Sequence, residues 1–126
     1  MNFNRKILNL EDGLHLIKDD CVVCFGIFNV IHPGHIRFLR SAKKVAKRLI
    51  VLLIDEDVSE VFENIFSLDD RADGLASIHI VNNVLLLQGK TLEEAIGFLK
   101  PPLIVMGKEF EFERRSEVDT ILNIID

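Results

Sequence analysis

Apolar residues along this chain gather in short runs, and amphipathic stretches separate the runs from end to end. In "LEDGLHLIK" Leu10, Leu14 and Ile17 share one helical face, and "CVVCFGI" at 21–27 is a run of strand-formers. From His35 onward Phe38, Leu39, Ala42, Val45, Ala46 and Leu49 recur at helical spacing, which predicts an amphipathic helix. "LIVLLI" at 49–54 has none of the polar alternation of a half-exposed sheet and predicts a buried strand. Residues 55–78 predict two short helices, or a helix and a loop, and "NVLLL" at 83–87 a third strand. "TLEEAIGFLK" opens with Thr91 and carries Glu94 three residues on, the pairing of a capping box, and Pro101 and Pro102 stop that helix. "LIVMG" at 103–107 predicts a fourth strand, and Val118, Ile121, Leu122 and Ile125 an amphipathic C-terminal helix. Strands alternating with helices make the fold class α/β, a parallel sheet with helices on both faces and right-handed crossovers.

Size and charge narrow the partners. The 126 residues suit one domain, 1–126, with its own core. A formal net charge of −5 offers no bulk attraction to nucleic acid or to an anionic membrane surface. No aliphatic run is long enough to span a bilayer, and the first residues lack the apolar centre of a signal peptide, so the expected location is cytoplasmic. Cys21 and Cys24 form a C-x-x-C, but within a strand run such positions point to opposite faces, and no second ligand pair completes a zinc site. Both read as core residues, and no metal-ligand set is assigned.

The candidate chemistry lies in "GIFNVIHPGHIRF", residues 26–38, between a strand and a helix. In open parallel sheets, ligands bind beyond the carboxyl ends of strands, and a helix start there offers unpaired N–H groups to phosphate. Gly26 and Gly34 permit close backbone approach, and Pro33 fixes the turn. Two imidazoles, His32 and His35, add donors suited to charge on a phosphoryl transition state. A structural or solvated role for either histidine, and a zinc pair, are the competing readings; His15 and His79 fall outside any such constellation.

On these residues the sequence resembles the H-x-G-H nucleotidylyltransferases, nearest their cytidylyltransferase branch. The resemblance runs through "KILNLEDGLHLIKDDCVVCFGIFNVIHPGHIRFLRSAKKVAKRLIVLLIDED", Arg71 and "TLEEAIGFLKPPLIVMGKEFE". It implies a Rossmann-like sheet of the nucleotidyltransferase type. His32 and His35 would then stabilise the α-phosphate of a nucleoside triphosphate under attack, CTP being favoured. The backbone of Gly26, Ile27, Phe28 and Asn29 would line the triphosphate, and Gly34 would allow close approach at the helix start. Gly107, Lys108 and Glu109 would border the nucleotide or acceptor, with Arg71 as a phosphate contact or, alternatively, an ion-pair partner. The implied reaction is attack by a phosphorylated sugar or small alcohol that displaces pyrophosphate, with Mg²⁺ bound alongside the nucleotide. The resemblance also implies a homodimer and, in one branch, fusion to a ribokinase-type sugar kinase.

Three departures from the family pattern matter. Asn29 stands where the family usually has Asp, although "FN-x-x-HPGH" suits the kinase-fused branch. Residues 49–70 hold seven acids and no Lys, Arg or His, where the family carries lysines. A later Ser/Thr-rich phosphate-binding segment is missing, and the chain reads as a piece of a longer polypeptide. The rivals are a degenerate module that binds nucleotide or a protein without efficient catalysis, and a flavodoxin-like interaction domain. Arg37, Arg40, Lys43, Lys44, Lys47 and Arg48 form a basic stripe on the first long helix, read mainly as solvated, with one reaching an acceptor phosphate as the alternative.

Overall fold

The computed structural model describes residues 4–55, 65–107 and 119. A short strand β1 (Ile7–Asn9) leads into α1 (Leu10–Gly13) and a single 3-10 turn, Leu14–Leu16. The strand β2 (Cys21–Gly26) follows, then α2 (Pro33–Lys43), β3 (Arg48–Leu53), α3 (Leu68–Ala76), β4 (Asn83–Leu86) and α4 (Leu92–Leu99). The sheet is wholly parallel in the order β1-β4-β3-β2.

Period-two alternation divides each strand between two helical layers. Cys21, Val23, Phe25, Ile50, Leu52 and Leu85 pack with Leu10 of α1 and with Leu92, Ala95, Ile96 and Leu99 of α4. Val22, Cys24, Leu49, Val51, Leu53 and Val84 face the opposite way, onto Leu39 and Ala42 of α2 and Ala72, Leu75 and Ala76 of α3. The two cysteines therefore sit in opposite halves of the core, both as free thiols. Burial pushes the Cys24 thiol up to about 12 and raises that of Cys21 as well.

Four expectations need correction. Residues 7–9 form a strand that the apolar pattern does not announce, so the "CVVCFG" run is the second strand, not the first. The helix from His35 does not continue through Val45, Ala46 and Leu49: α2 ends at Lys43, Val45 is exposed, and Leu49 pairs with Val22 in the sheet. The "LEDGLHLIK" face is split between one α-helical turn and a 3-10 turn. Among the described residues 103–107 make only an isolated bridge, Ile104 to Val23, on the free side of β2. Residues 55–78 contain one described helix, α3, and the expected helix at 118–125 lies outside the described residues apart from Asp119. The capping box of α4 forms as read, with Glu94 N–H donating to Thr91 Oγ1 and Thr91 N–H to Glu94 Oε1. Lys100, at φ 48°, closes that helix in the left-handed region ahead of Pro101.

That lone bridge locates the reversal of strand order. From β2 the chain steps to β3 and β4 on one side, then returns through α4 to residue 104 on the other. The order of connection reverses at β2, so the crevice beyond its carboxyl end is the topological switch point.

Candidate active site

Everything between Gly26 and His35 lies beyond that end of β2. Phe28 turns the chain out of the sheet in the left-handed region, at φ 48°, a conformation uncommon for a bulky residue. Its ring folds back over Gly26, where a Cβ would come within 2.7 Å of it. A side chain at position 26 would therefore force the Phe28 ring to move.

His32 is the N-cap of α2. Its Nδ1 accepts the Gly34 N–H at 3.0 Å, while His35 Nδ1 accepts the His32 N–H at 3.2 Å. The pair makes a reciprocal cap in which imidazoles replace the usual hydroxyl and carboxylate. Gly34 makes it possible, since a Cβ there would lie 2.8 Å from His32 Cε1 and 3.0 Å from Nδ1. The rings stack with centroids 3.9 Å apart, and Phe28 lies against His35 at 5.3 Å. A ring nitrogen that accepts an N–H bond carries no proton of its own, so the neutral imidazoles carry theirs on Nε2. The cap therefore fixes the tautomer that leaves Nε2–H as the donor.

Arg71, buried at 6% exposure, holds the floor of the site. Its Nη1 donates to the Ile27 carbonyl at 3.1 Å and the Ile54 carbonyl at 2.9 Å, and its Nε to the Phe66 carbonyl at 3.1 Å. Asp55 approaches Nη2 at 3.6 Å, the ion pair that was one reading of this residue. Burial lowers the Arg71 pKa and Asp55 opposes that shift; the guanidinium stays charged. One side chain thus ties together the chain leaving β2, the chain leaving β3 and the entry to α3. Asn29 adds a second tie by accepting the Phe66 N–H at 2.7 Å.

Phe28, Asn29, Phe66, Asp70, Arg71 and Gly74 are among the residues lining a cavity of about 380 Å³ here. Ile31, His32, Pro33, Ile36, Arg37 and Arg40 line another of about 580 Å³. Gly26, Ile27, Phe28, Asn29, His32, Gly34 and His35 are thus brought to one end of the sheet, with Arg71 beneath them. Gly107 follows the bridged segment at 104, and Lys108 and Glu109 lie outside the described residues. Phe66 was not singled out from sequence, and Asp70 was read only as one of the seven acids of 49–70. A signal existed, because Ser67 three residues before Asp70 is an N-cap pattern, and Ser67 Oγ does accept the Asp70 N–H.

The model of the cytidylyltransferase-like family matches residues 23–123. The chain is 36% identical over 118 residues to the Bifunctional protein HldE of Campylobacter jejuni (strain RM1221), covering 88% of this chain and 26% of that protein. It is 32% identical over 107 residues to the FAD synthase of Pyrococcus abyssi (strain GE5 / Orsay), covering 82% of this chain and 72% of the other. It therefore spans about a quarter of the HldE relatives and most of that FAD synthase. The crystal structure of a lipopolysaccharide core biosynthesis protein from Thermoplasma volcanium GSS1 has the same fold, with a TM-score of 0.67 at 22% identity over 82% of this chain and 87% of that one. With most of its length matched by the family model and the switch-point site built as described, this chain belongs to the cytidylyltransferase-like family.

Proposed function

We propose that this chain transfers a nucleotidyl group, cytidylyl by its sequence resemblance, from a nucleoside triphosphate to a phosphorylated sugar or small alcohol, with release of pyrophosphate. The observation that carries the proposal is the reciprocal cap, which commits both Nδ1 atoms to the backbone and so leaves the Nε2 side of each ring as its donor. His32 and His35 act as donors to the α-phosphate, where negative charge grows as the acceptor oxygen attacks. Preorganised donors of this kind contribute roughly 10²–10³ in rate each. The loop from Gly26 to Asn29 and the helix start at Gly34 line the phosphates, Gly107, Lys108 and Glu109 border the nucleotide or acceptor, and Arg71, expected as a phosphate contact or an ion-pair partner, holds the loop from beneath with its guanidinium on backbone carbonyls.

Among the described residues no group of three or more His, Cys, Asp or Glu could hold a metal ion. Mg²⁺ would enter with the nucleotide, where it would neutralise phosphate charge. Among the described residues no helix is long and apolar enough to cross a membrane. A cytoplasmic location, a homodimer and a sugar-kinase domain elsewhere in a longer polypeptide, with residues 1–126 as one nucleotidyltransferase domain, belong to the same proposal.

The test separates capping from catalysis. Asn is an excellent N-cap, so His32→Asn keeps the acceptor for the Gly34 N–H while removing Nε2–H. CTP, ATP, GTP and UTP with Mg²⁺ are titrated by calorimetry into both proteins, and pyrophosphate release is followed with sugar phosphates. ATP belongs beside CTP because the FAD synthase relatives are named for an adenine dinucleotide. The expected result is an unchanged melting temperature, selective CTP binding by the wild type, and a fall of about 10²-fold in turnover for His32→Asn. Turnover by His32→Asn equal to wild type would overturn the donor role. The second reading, nucleotide binding without efficient transfer, is favoured by Asn29 spending its amide oxygen on Phe66 and by the seven acids within 49–70; binding without pyrophosphate release would select it.

A further inference from the structure

The larger cavity beside His32 has a chemistry of its own. Its walls are His32 and two guanidiniums, Arg37 and Arg40, with Ile31, Pro33 and Ile36 as apolar lining. Arg37 and Arg40 are three residues apart on α2 and so occupy neighbouring places on one helix face. Arg37 leans toward the helix start, its Nη2 lying 3.8 Å from where a Cβ at Gly34 would be. Neither guanidinium has a hydrogen bond or an ion pair among the described residues.

The supply of positive charge near the site makes these two stand out. Residues 49–70 carry no cation, and Arg71 is buried and spent on the carbonyls of residues 27, 54 and 66. Lys43, further along α2, donates to the Lys47 carbonyl and to Asn82. Arg37 and Arg40 are therefore the cations that line a cavity together with His32.

Resting on the reading of the chain as a nucleotidyltransferase, we infer that this cavity is the subsite for the acceptor's phosphomonoester, clamped by Arg37 and Arg40. A phosphomonoester is close to a dianion at neutral pH, and guanidinium forks bind its oxygens in pairs. Held there, an acceptor oxygen gives its lone pair to the α-phosphorus and forms the new P–O bond. The bond from that phosphorus to the bridging oxygen breaks, its electron pair leaves with pyrophosphate, and no proton moves in that step. The two arginines offset the repulsion between two phosphates that must meet. About 580 Å³ falls within the range of ligand pockets, leaving room for the rest of a small acceptor.

The experiment uses the ¹⁵N-labelled chain, with glycerol 3-phosphate and Mg²⁺–CTP as separate probes. Arg37→Gln/Arg40→Gln is compared with Arg37→Lys/Arg40→Lys and with wild type by amide and guanidinium NMR titration. Glycerol 3-phosphate is expected to shift the Arg37 Nε–H and Gly34 N–H signals of the wild type saturably. The double Gln variant should bind it about tenfold or more weakly, with CTP affinity unchanged, and the double Lys variant should recover part of the loss. The inference is overturned if glycerol 3-phosphate shifts no α2 signal in wild type, or if the Gln variant binds it unchanged. It is also overturned if the Gln variant loses CTP instead, which would make the cavity a triphosphate site. A wild type that holds glycerol 3-phosphate on the α2 arginines but ignores every nucleotide would support the subsite while overturning the transferase reading.

Discussion

Replacing Arg71 with Met removes the side chain that ties β2, β3 and α3 together beneath the site. The apolar substitute has similar length, so the space stays filled while three carbonyls lose charged donors at 2.9–3.1 Å. Bonds to charged donors contribute about 1.5–3 kcal/mol each, but the buried guanidinium also carries a desolvation penalty that its removal relieves. Breaking such a buried arrangement costs about 3–5 kcal/mol. A domain of this size loses roughly 3–5 °C per kcal/mol, so the melting temperature should fall by roughly 10–20 °C. Asp55 supplies the control. Its side chain is 41% exposed and 3.6 Å from Nη2, so Asp55→Asn should cost no more than about 1 kcal/mol. Calorimetric or circular-dichroism melts at low and high salt measure both, and the loss for Arg71→Met should change little with salt. An Arg71→Met protein that melts within about 3 °C of wild type would refute the reasoning. So would an Asp55→Asn loss as large as that of Arg71→Met, because the ion pair and not the carbonyls would then dominate.

Gly34→Ala should displace the His32 ring, since its new Cβ would meet Cε1 at 2.8 Å; loss of the cap costs about 0.5–2 kcal/mol, and nucleotide binding should weaken with it, both read by melting and calorimetry. The Glu94 carboxyl should titrate below the ordinary glutamate range, because its backbone and side-chain bonds to Thr91 favour the charged form. A depressed folded pKa means that its contribution is present above the unfolded value and lost as pH falls through the folded one. In Thr91→Ala the NMR titration of Glu94 should move upward. Cys24, pushed up to about 12 by burial, should resist thiol reagents at pH 8 in the folded protein and label at the rate of unfolding; rapid labelling without denaturant would contradict its burial.

Much of the architecture was legible in local patterns, because burial imposes them directly. "LIVLLI" is apolar at every position because β3 is covered on both faces, and Thr91 with Glu94 signals its cap because the donors to be satisfied lie within the same turn. H-P-G-H was legible as a strand-to-helix turn for the same reason. The errors came where a partner distant in sequence decides. A three-residue strand such as Ile7–Asn9 exists only because β4 lies beside it, with Lys6 O accepting the Val84 N–H. Leu49 keeps helical phase with α2, yet its pairing with Val22 draws it into β3. "LIVMG" is a strand by composition, but among the described residues only Ile104 bridges to β2.

The site divides in the same way. Sequence alone determined that two imidazoles, two glycines and a proline stand at a strand-to-helix turn, since that is a matter of order along the chain. It could not show that the histidines cap one another's helix through Nδ1, because ring orientation depends on Gly34 leaving room for His32. Nor could it show that Arg71 is bound to residues 27, 54 and 66. Backbone carbonyls have no sequence signature, and only the packed sheet brings those three within reach of one guanidinium.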